Sequence, residues 1–387
     1  MWQDERHVTT SAVHTTRPCA EGRIVIPGPQ PGPPCARTEL EIEVVTIAPQ
    51  AASAPDTTVR PWSAGPRWWI WTWVLVIVFG AVALWRSHQV DVPLRDPDGR
   101  VFMSRIALSL GILVVLIVLD GAVRARRREG SVRRTWAAIR SRWTPDRVLL
   151  AVTGLLAYHL VYSFYRNLKS WNAFRAQHDD ALLDTDRWLF FGHSPAVLLH
   201  DLFGRDVAPH VFRAIYESFS IMVPISFVAA LVLAPRIREG YVFLTSAMWV
   251  WILGVGSYYL IPAIGPFDSA PDEFAGLDRT SVTATQAKYM AERAELLLHP
   301  GAADSFASIG AFASLHTGFT FLVLLMLRYY GLRRAANVMV VYLVAVMVST
   351  IYLGWHFVLD DVAGLAIAWA AVRLGRLTVY PPGRSVA

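Results

Sequence analysis

The sequence predicts an all-α integral membrane protein with about eight transmembrane helices. Three observations carry that expectation. Over 387 residues the chain is 54% hydrophobic and only 17% charged, with a mean hydropathy of +0.37, a balance that soluble domains rarely show. The apolar residues fall in runs of about 20, the length that crosses roughly 30 Å of hydrocarbon as a helix. The basic residues gather between those runs instead of scattering over the chain.

Residues 1–66 are rich in Pro, Thr and Ala and include Pro27-Gly28-Pro29-Gln30-Pro31-Gly32-Pro33-Pro34. Such a segment cannot bury a core, and the expectation is a disordered tail. Residues 41–48 have strand composition but no neighbour to pair with. The two cysteines, Cys19 and Cys35, both lie here, which excludes a disulfide framework or a cysteine metal site. The first apolar run starts near Trp68, too late for a signal peptide.

Eight apolar runs follow, at about 68–85, 101–123, 148–165, 211–234, 241–261, 311–327, 335–353 and 355–373. Arg105 and Asp120 sit near the ends of the second. Arg213 and Glu217 stand in the first two turns of the fourth, near the interface or each other. His159, in the middle of the third, reads as a helix–helix hydrogen-bonding residue.

The loops set an orientation. All but Lys169 and Lys288 of the 36 basic residues are arginines, and nine of them stand between Arg124 and Arg147 against Glu129 and Asp146. The positive-inside rule makes that segment cytoplasmic. The basic turns Arg236–Glu239 and Arg328–Arg334 then also fall inside. Loops 166–210 and 267–310, each with more acidic than basic side chains, fall outside, and both termini are cytoplasmic. Arginine clustering of this kind is a topology signal, and no nucleic-acid partner is expected. Residues 180–203 and 284–298 carry helical spacing and are expected to lie on the membrane surface over a site.

Ionisable groups bordering membrane spans are costly and so are functional candidates. At the external start of the sixth run stands Ala313-Ser314-Leu315-His316-Thr317-Gly318. Ser314 can cap the helix, whose first-turn N–H groups attract anions, and His316 is one turn inside. At the external start of the eighth run stands Tyr352-Leu353-Gly354-Trp355-His356-Phe357-Val358-Leu359-Asp360-Asp361-Val362-Ala363-Gly364. His356 and Asp360, four apart, share a helix face. The carboxylate can fix one imidazole nitrogen and free the other as nucleophile or base. Asp361 points about 100° away from Asp360, and no metal-ligand set is evident. Each motif alone could be a cap or a structural pair. Arginine counts, which use neither histidine, bring His316 and His356 to one membrane face, as a nucleophile and acid pair requires.

The Ser-Leu-His-Thr-Gly segment, a gap of roughly 40 residues, and Tyr-Leu-Gly-Trp-His-x-x-x-Asp followed by Ala-Gly resemble motifs two and three of the type 2 phosphatidic acid phosphatase superfamily. The Ser-Leu-His form and Ile261-Pro262-Ala263-Ile264-Gly265-Pro266 look more like its inositol-phosphorylceramide-synthase branch. The resemblance covers roughly residues 148–375. It implies two added helices with a basic loop over 67–147, a six-helix phosphatase-like core formed by the last six spans over 148–375, and a tail over 376–387.

The resemblance implies that His356 attacks phosphorus, Asp360 orients it, and His316 protonates the leaving oxygen and then activates the acceptor. Ser314, Gly318 and nearby N–H groups would hold phosphate oxygens. It implies no metal and no cofactor, a lipid phosphate or diphosphate as substrate among membrane lipids, and water or a polar alcohol as acceptor. The superfamily's first motif is not visible, and Thr350 stands where motif three carries arginine. Phosphoryl transfer needs positive charge around its oxygens; Arg166 and Lys169, at the external end of the third run, are the candidates to supply it, the alternative being that they anchor phospholipid head groups at the interface. A transporter would place its ionisable residues near the midplane, and a serine protease would leave Asp360 without a role.

Overall fold

The computed structural model describes residues 67–96, 100–126 and 131–381. The expected tail over 1–66, its strand-like segment and the last six residues lie outside them. Among the described residues every regular element is helical. Seven helices are long and apolar enough to cross a membrane: α1 Ile70–Val90, α2 Arg100–Arg126, α4 Pro145–Trp171, α7 Ala208–Leu233, α8 Ile237–Leu260, α13 Arg333–Tyr352 and α14 Val358–Val379. The eighth expected span is α12 Leu315–Tyr329, only 15 residues long. It starts late because residues 305–314 run without regular structure beside it.

Shorter helices fill the connections: α3 Val132–Arg142, α5 Asp179–Leu189, α6 Pro195–Phe203, α9 Pro266–Ser269, α10 Pro271–Phe274 and α11 Ser281–Leu298. The expected surface helix over 180–203 is therefore two helices broken at Phe190–Ser194. Phe191 and Gly192 there take positive φ values of 56° and 90°. The expected helix over 284–298 begins three residues earlier because Thr280 caps it, accepting from Val282 N–H.

α8 is the central helix, packed against α4, α7, α12 and α14 and buried over most of its length. α12 packs against both α13 and α14, and α1 and α2 pack against α4 from outside. Aliphatic side chains such as Ile77, Val114, Val338 and Val341 face outward and are exposed, as expected of lipid-facing positions. His159 donates to or accepts from Ser109 on α2 at 2.9 Å, the helix–helix bond its position suggested. Arg213 and Glu217 pair at 3.5 Å.

α3 lies in the basic connection that sequence periodicity left as a loop. Ser131 caps it, Ile139 packs onto Gly121 of α2, and Asp120 binds Arg124 at 2.9 Å and Arg142 at 3.4 Å. Thr144, Pro145 and Asp146 make a strong start signal for α4, with Thr144 Oγ1 accepting from Arg147 N–H. α4 then continues to Trp171, so Arg166 and Lys169 are helical residues and not loop residues.

Candidate active site

The site forms where the N-termini of α12 and α14 lie side by side. Ser314 N–H donates to the Asp360 carbonyl at 2.9 Å, joining the two helix starts. Ser314 Oγ accepts from Thr317 N–H at 3.4 Å, which caps α12. The approach to Ser314 is fixed from outside: Ala311 N–H donates to the Ala263 carbonyl at 2.8 Å, and Ala313 N–H to Ser257 Oγ at 2.9 Å. A Cβ on Gly364 would lie 2.3 Å from the Ser314 carbonyl, and one on Gly318 would lie 3.1 Å from the Gly364 carbonyl. These two glycines let α12 and α14 meet backbone to backbone. The Gly318 N–H donates to the Ser314 carbonyl at 3.0 Å.

His356 does not stand on α14. α13 ends at Tyr352, Gly354 turns the chain at φ 76°, and α14 begins only at Val358. The His356–Asp360 pair forms because Asp360, in the first turn, reaches back past the helix start. Its Oδ2 lies 3.2 Å from His356 Nδ1 and accepts from Phe357 N–H at 3.0 Å. The carboxylate thus caps α14 and orients the imidazole together. With Nδ1–H donating to Asp360, the lone pair is on Nε2. The His316 and His356 rings lie 5.8 Å apart between centroids. Tyr216 stacks on His316 at 4.4 Å, Phe219 packs at the same distance, and Tyr216 also stacks on Trp355 at 5.6 Å.

The connections between spans hold this turn. Asp186 on α5 accepts from Val358 N–H at 2.8 Å, a second cap for α14. Asp179 accepts from Ile264 and Gly265 N–H at 2.9 and 2.7 Å, and Phe267 N–H donates to the Gly354 carbonyl at 3.0 Å. Gln286 on α11 donates to the Leu353 carbonyl at 2.8 Å. His200 on α6 donates through Nε2 to the Tyr352 carbonyl at 2.9 Å. Burial pushes both the Asp179 and Asp186 carboxyls upward, against the backbone N–H groups that hold them charged. Burial pushes the His200 imidazole downward, keeping it neutral.

Asp361 turns out to be a bridge. Fully buried, it accepts from Thr317 Oγ1 at 2.6 Å and from Thr350 Oγ1 at 3.3 Å, tying α14 to α12 and α13. Thr350 therefore serves helix packing at the position where the resemblance called for an arginine. Lys169 lies over the Tyr258 ring at 5.6 Å. Among the described residues it has no carboxylate partner. Arg166, one turn earlier, lies over the Phe306 ring at 4.6 Å. No group of three His, Cys, Asp or Glu side chains among the described residues is placed to share a metal ion.

No curated protein and no solved structure matches the chain. The profile of the PAP2 superfamily, whose members are phosphatases and phosphotransferases, matches residues 180–374. That stretch, half of the sequence, runs from α5 to α14 and carries Ser314, His316, His356 and Asp360, leaving α1 to α4 outside. The chain belongs to the PAP2 superfamily.

Proposed function

We propose that the protein removes or transfers the phosphoryl group of a lipid phosphate or diphosphate through a phosphohistidine on His356. The observation that carries this reading is the Asp360–His356 pair facing His316 across 5.8 Å at two joined helix N-termini. In the first step the Nε2 lone pair attacks phosphorus and the bond to the leaving oxygen breaks. His316, in its protonated form, gives that oxygen its proton. In the second, His316 takes a proton from the acceptor hydroxyl, whose oxygen displaces Nε2. Ser314, the first-turn N–H groups of α12 and Lys169 hold the equatorial oxygens. None of these steps uses a metal ion.

The acceptor is water in the leading reading. The Ser314-Leu315-His316 form and the 261–266 segment support the alternative, transfer to a polar alcohol as in inositol-phosphorylceramide synthases. The nine arginines that the sequence sets between Arg124 and Arg147, with Arg142 and Arg147 placed on the end of α7 remote from His356, support an extracytoplasmic site in the cell membrane with both termini inside.

The test is phosphate release by detergent-purified protein from a panel of lipid phosphates with chelator present, wild type beside His356→Ala. Release by the wild type alone, with phosphate trapped covalently on the protein after acid-free quenching, is the expected outcome. Retained release by His356→Ala, with an unchanged melting temperature in both, would end the phosphohistidine mechanism.

A further inference from the structure

Helices α2 and α4 bring guanidinium groups to the site end that the catalytic residues do not use. Arg105 lies over the Tyr162 ring at 4.6 Å and Arg166 over the Phe306 ring at 4.6 Å. Both line one crevice, together with Arg95, Asp96, His159, Ser163 and Asn167. Arg95 is spent on the Ser305 and Pro300 carbonyls, each at 2.7 Å. Asp96, the one acid there, gives an oxygen to Phe102 N–H at 3.0 Å. Arg105 and Arg166 have neither carboxylate nor carbonyl partners among the described residues.

Two observations link the crevice to the segments that carry the histidines. Arg166 and Lys169 are three apart on α4 and so share its face. Phe306, under Arg166, belongs to the irregular stretch 305–314 that leads into Ser314. A row of cations thus runs outward from the histidines: Lys169, then Arg166, then Arg105. The crevice has only about 10 Å³ of free volume, so an anion is met at its rim, where Arg105 is exposed.

We propose that Arg105 and Arg166 form a second anion subsite, which receives a second phosphoryl group on the head of the substrate. Stacking on Tyr162 and Phe306 holds the planar groups ready to offer paired N–H donors to a phosphate. Neither arginine falls within the stretch matched to the superfamily, so the added helices adapt a common catalytic unit to lipid diphosphates. This rests on the reading of the histidine site as the place of the first phosphoryl group.

The experiment is calorimetric binding of inorganic pyrophosphate and orthophosphate to the full chain in detergent at one ionic strength. Pyrophosphate is expected to bind about tenfold tighter or better. Arg105→Gln removes that preference and leaves orthophosphate binding as it was. Arg105→Lys restores part of it. Arg133→Gln, the same loss of charge on α3 at the far end, leaves it intact. Equal affinities in the wild type, or a preference that survives Arg105→Gln, overturns the subsite. His356→Ala keeps the preference, because binding needs no nucleophile, so failure of the subsite and failure of the phosphohistidine mechanism give different results.

Discussion

The two ends of the bundle solve the same problem with opposite charges. At the site end, helix starts and tight turns leave backbone N–H groups without partners, and buried carboxylates accept from them: Asp360 from Phe357, Asp186 from Val358, Asp179 from Ile264 and Gly265. At the other end, α7 stops with its last carbonyls free. Arg142 donates to the carbonyls of Val232 and Ala234 at 2.9 and 2.8 Å, and Arg147 to those of Ala234 and Pro235 at 2.9 and 3.2 Å. Arg238 does the same for Val379 of α14 at 2.7 Å. Orphan backbone groups near hydrocarbon must be paired within the protein, and both ends comply. The difference is that every one of these arginines is occupied, whereas Lys169 at the site end is not. Charge at one end finishes a fold, and at the other Lys169 keeps a charge that no carboxylate among the described residues answers.

The largest effect that sharpens this contrast is at Asp360. Asp360→Asn keeps a cap acceptor in its amide oxygen but sets the wrong tautomer on His356. Turnover is expected to fall about 10⁴-fold, as for a histidine deprived of its orienting carboxylate, with little change in melting temperature. A fall of less than tenfold would make Asp360 a cap alone. Next comes Lys169→Ala, for which kcat is expected to drop about 10²- to 10³-fold, the loss that follows removal of one oxyanion donor. A change in stability without one in kcat would move Lys169 to the structural side of the comparison.

At the far end, Arg147→Ala is expected to leave turnover untouched and to destabilise the fold by about 1–3 kcal/mol, since several carbonyls lose a donor. Reduced turnover at unchanged stability would break the division between the ends. The smallest effect concerns His200. Burial holds its imidazole neutral in the fold, while the unfolded chain takes up a proton near pH 6.5. Stability is therefore complete above that pH and declines as pH falls below it. His200→Gln, which can still donate to the Tyr352 carbonyl, should flatten a melting-temperature profile between pH 7 and 5. An equally steep profile in the variant would assign the loss elsewhere.

The membrane fold was legible because hydrophobic runs and loop arginines are local signals. So were both histidines and Asp360, which stand in short motifs. The supports were not legible. Asp186 meets Val358 across 172 residues and His200 meets Tyr352 across 152, and no periodicity reports such pairs. The helix-wheel argument turned Asp361 away from Asp360 correctly, but could not say that the other face looks at Thr317 and Thr350. The reading that set His356 and Asp360 on one helix face reached the right pair by the wrong geometry, since Gly354 ends the preceding helix and His356 sits in the turn. α3 escaped because its basic residues read as a topology signal before they read as a helix.

The short α12 fixes the level at which Ser314 and His316 enter the bundle. Fifteen residues rise about 22 Å at 1.5 Å each, against a hydrocarbon layer of about 30 Å. The missing turns are replaced by residues 305–314, whose irregular backbone is tolerated because Ala307, Ala311, Ala313 and Ser314 are buried in protein. His316, the second residue of α12, therefore takes its level from that irregular segment and not from a span of full length. For the reaction proposed at His316, bilayer thickness would then set how far a lipid head group travels to meet it, and turnover in bilayers of increasing acyl length would fall progressively.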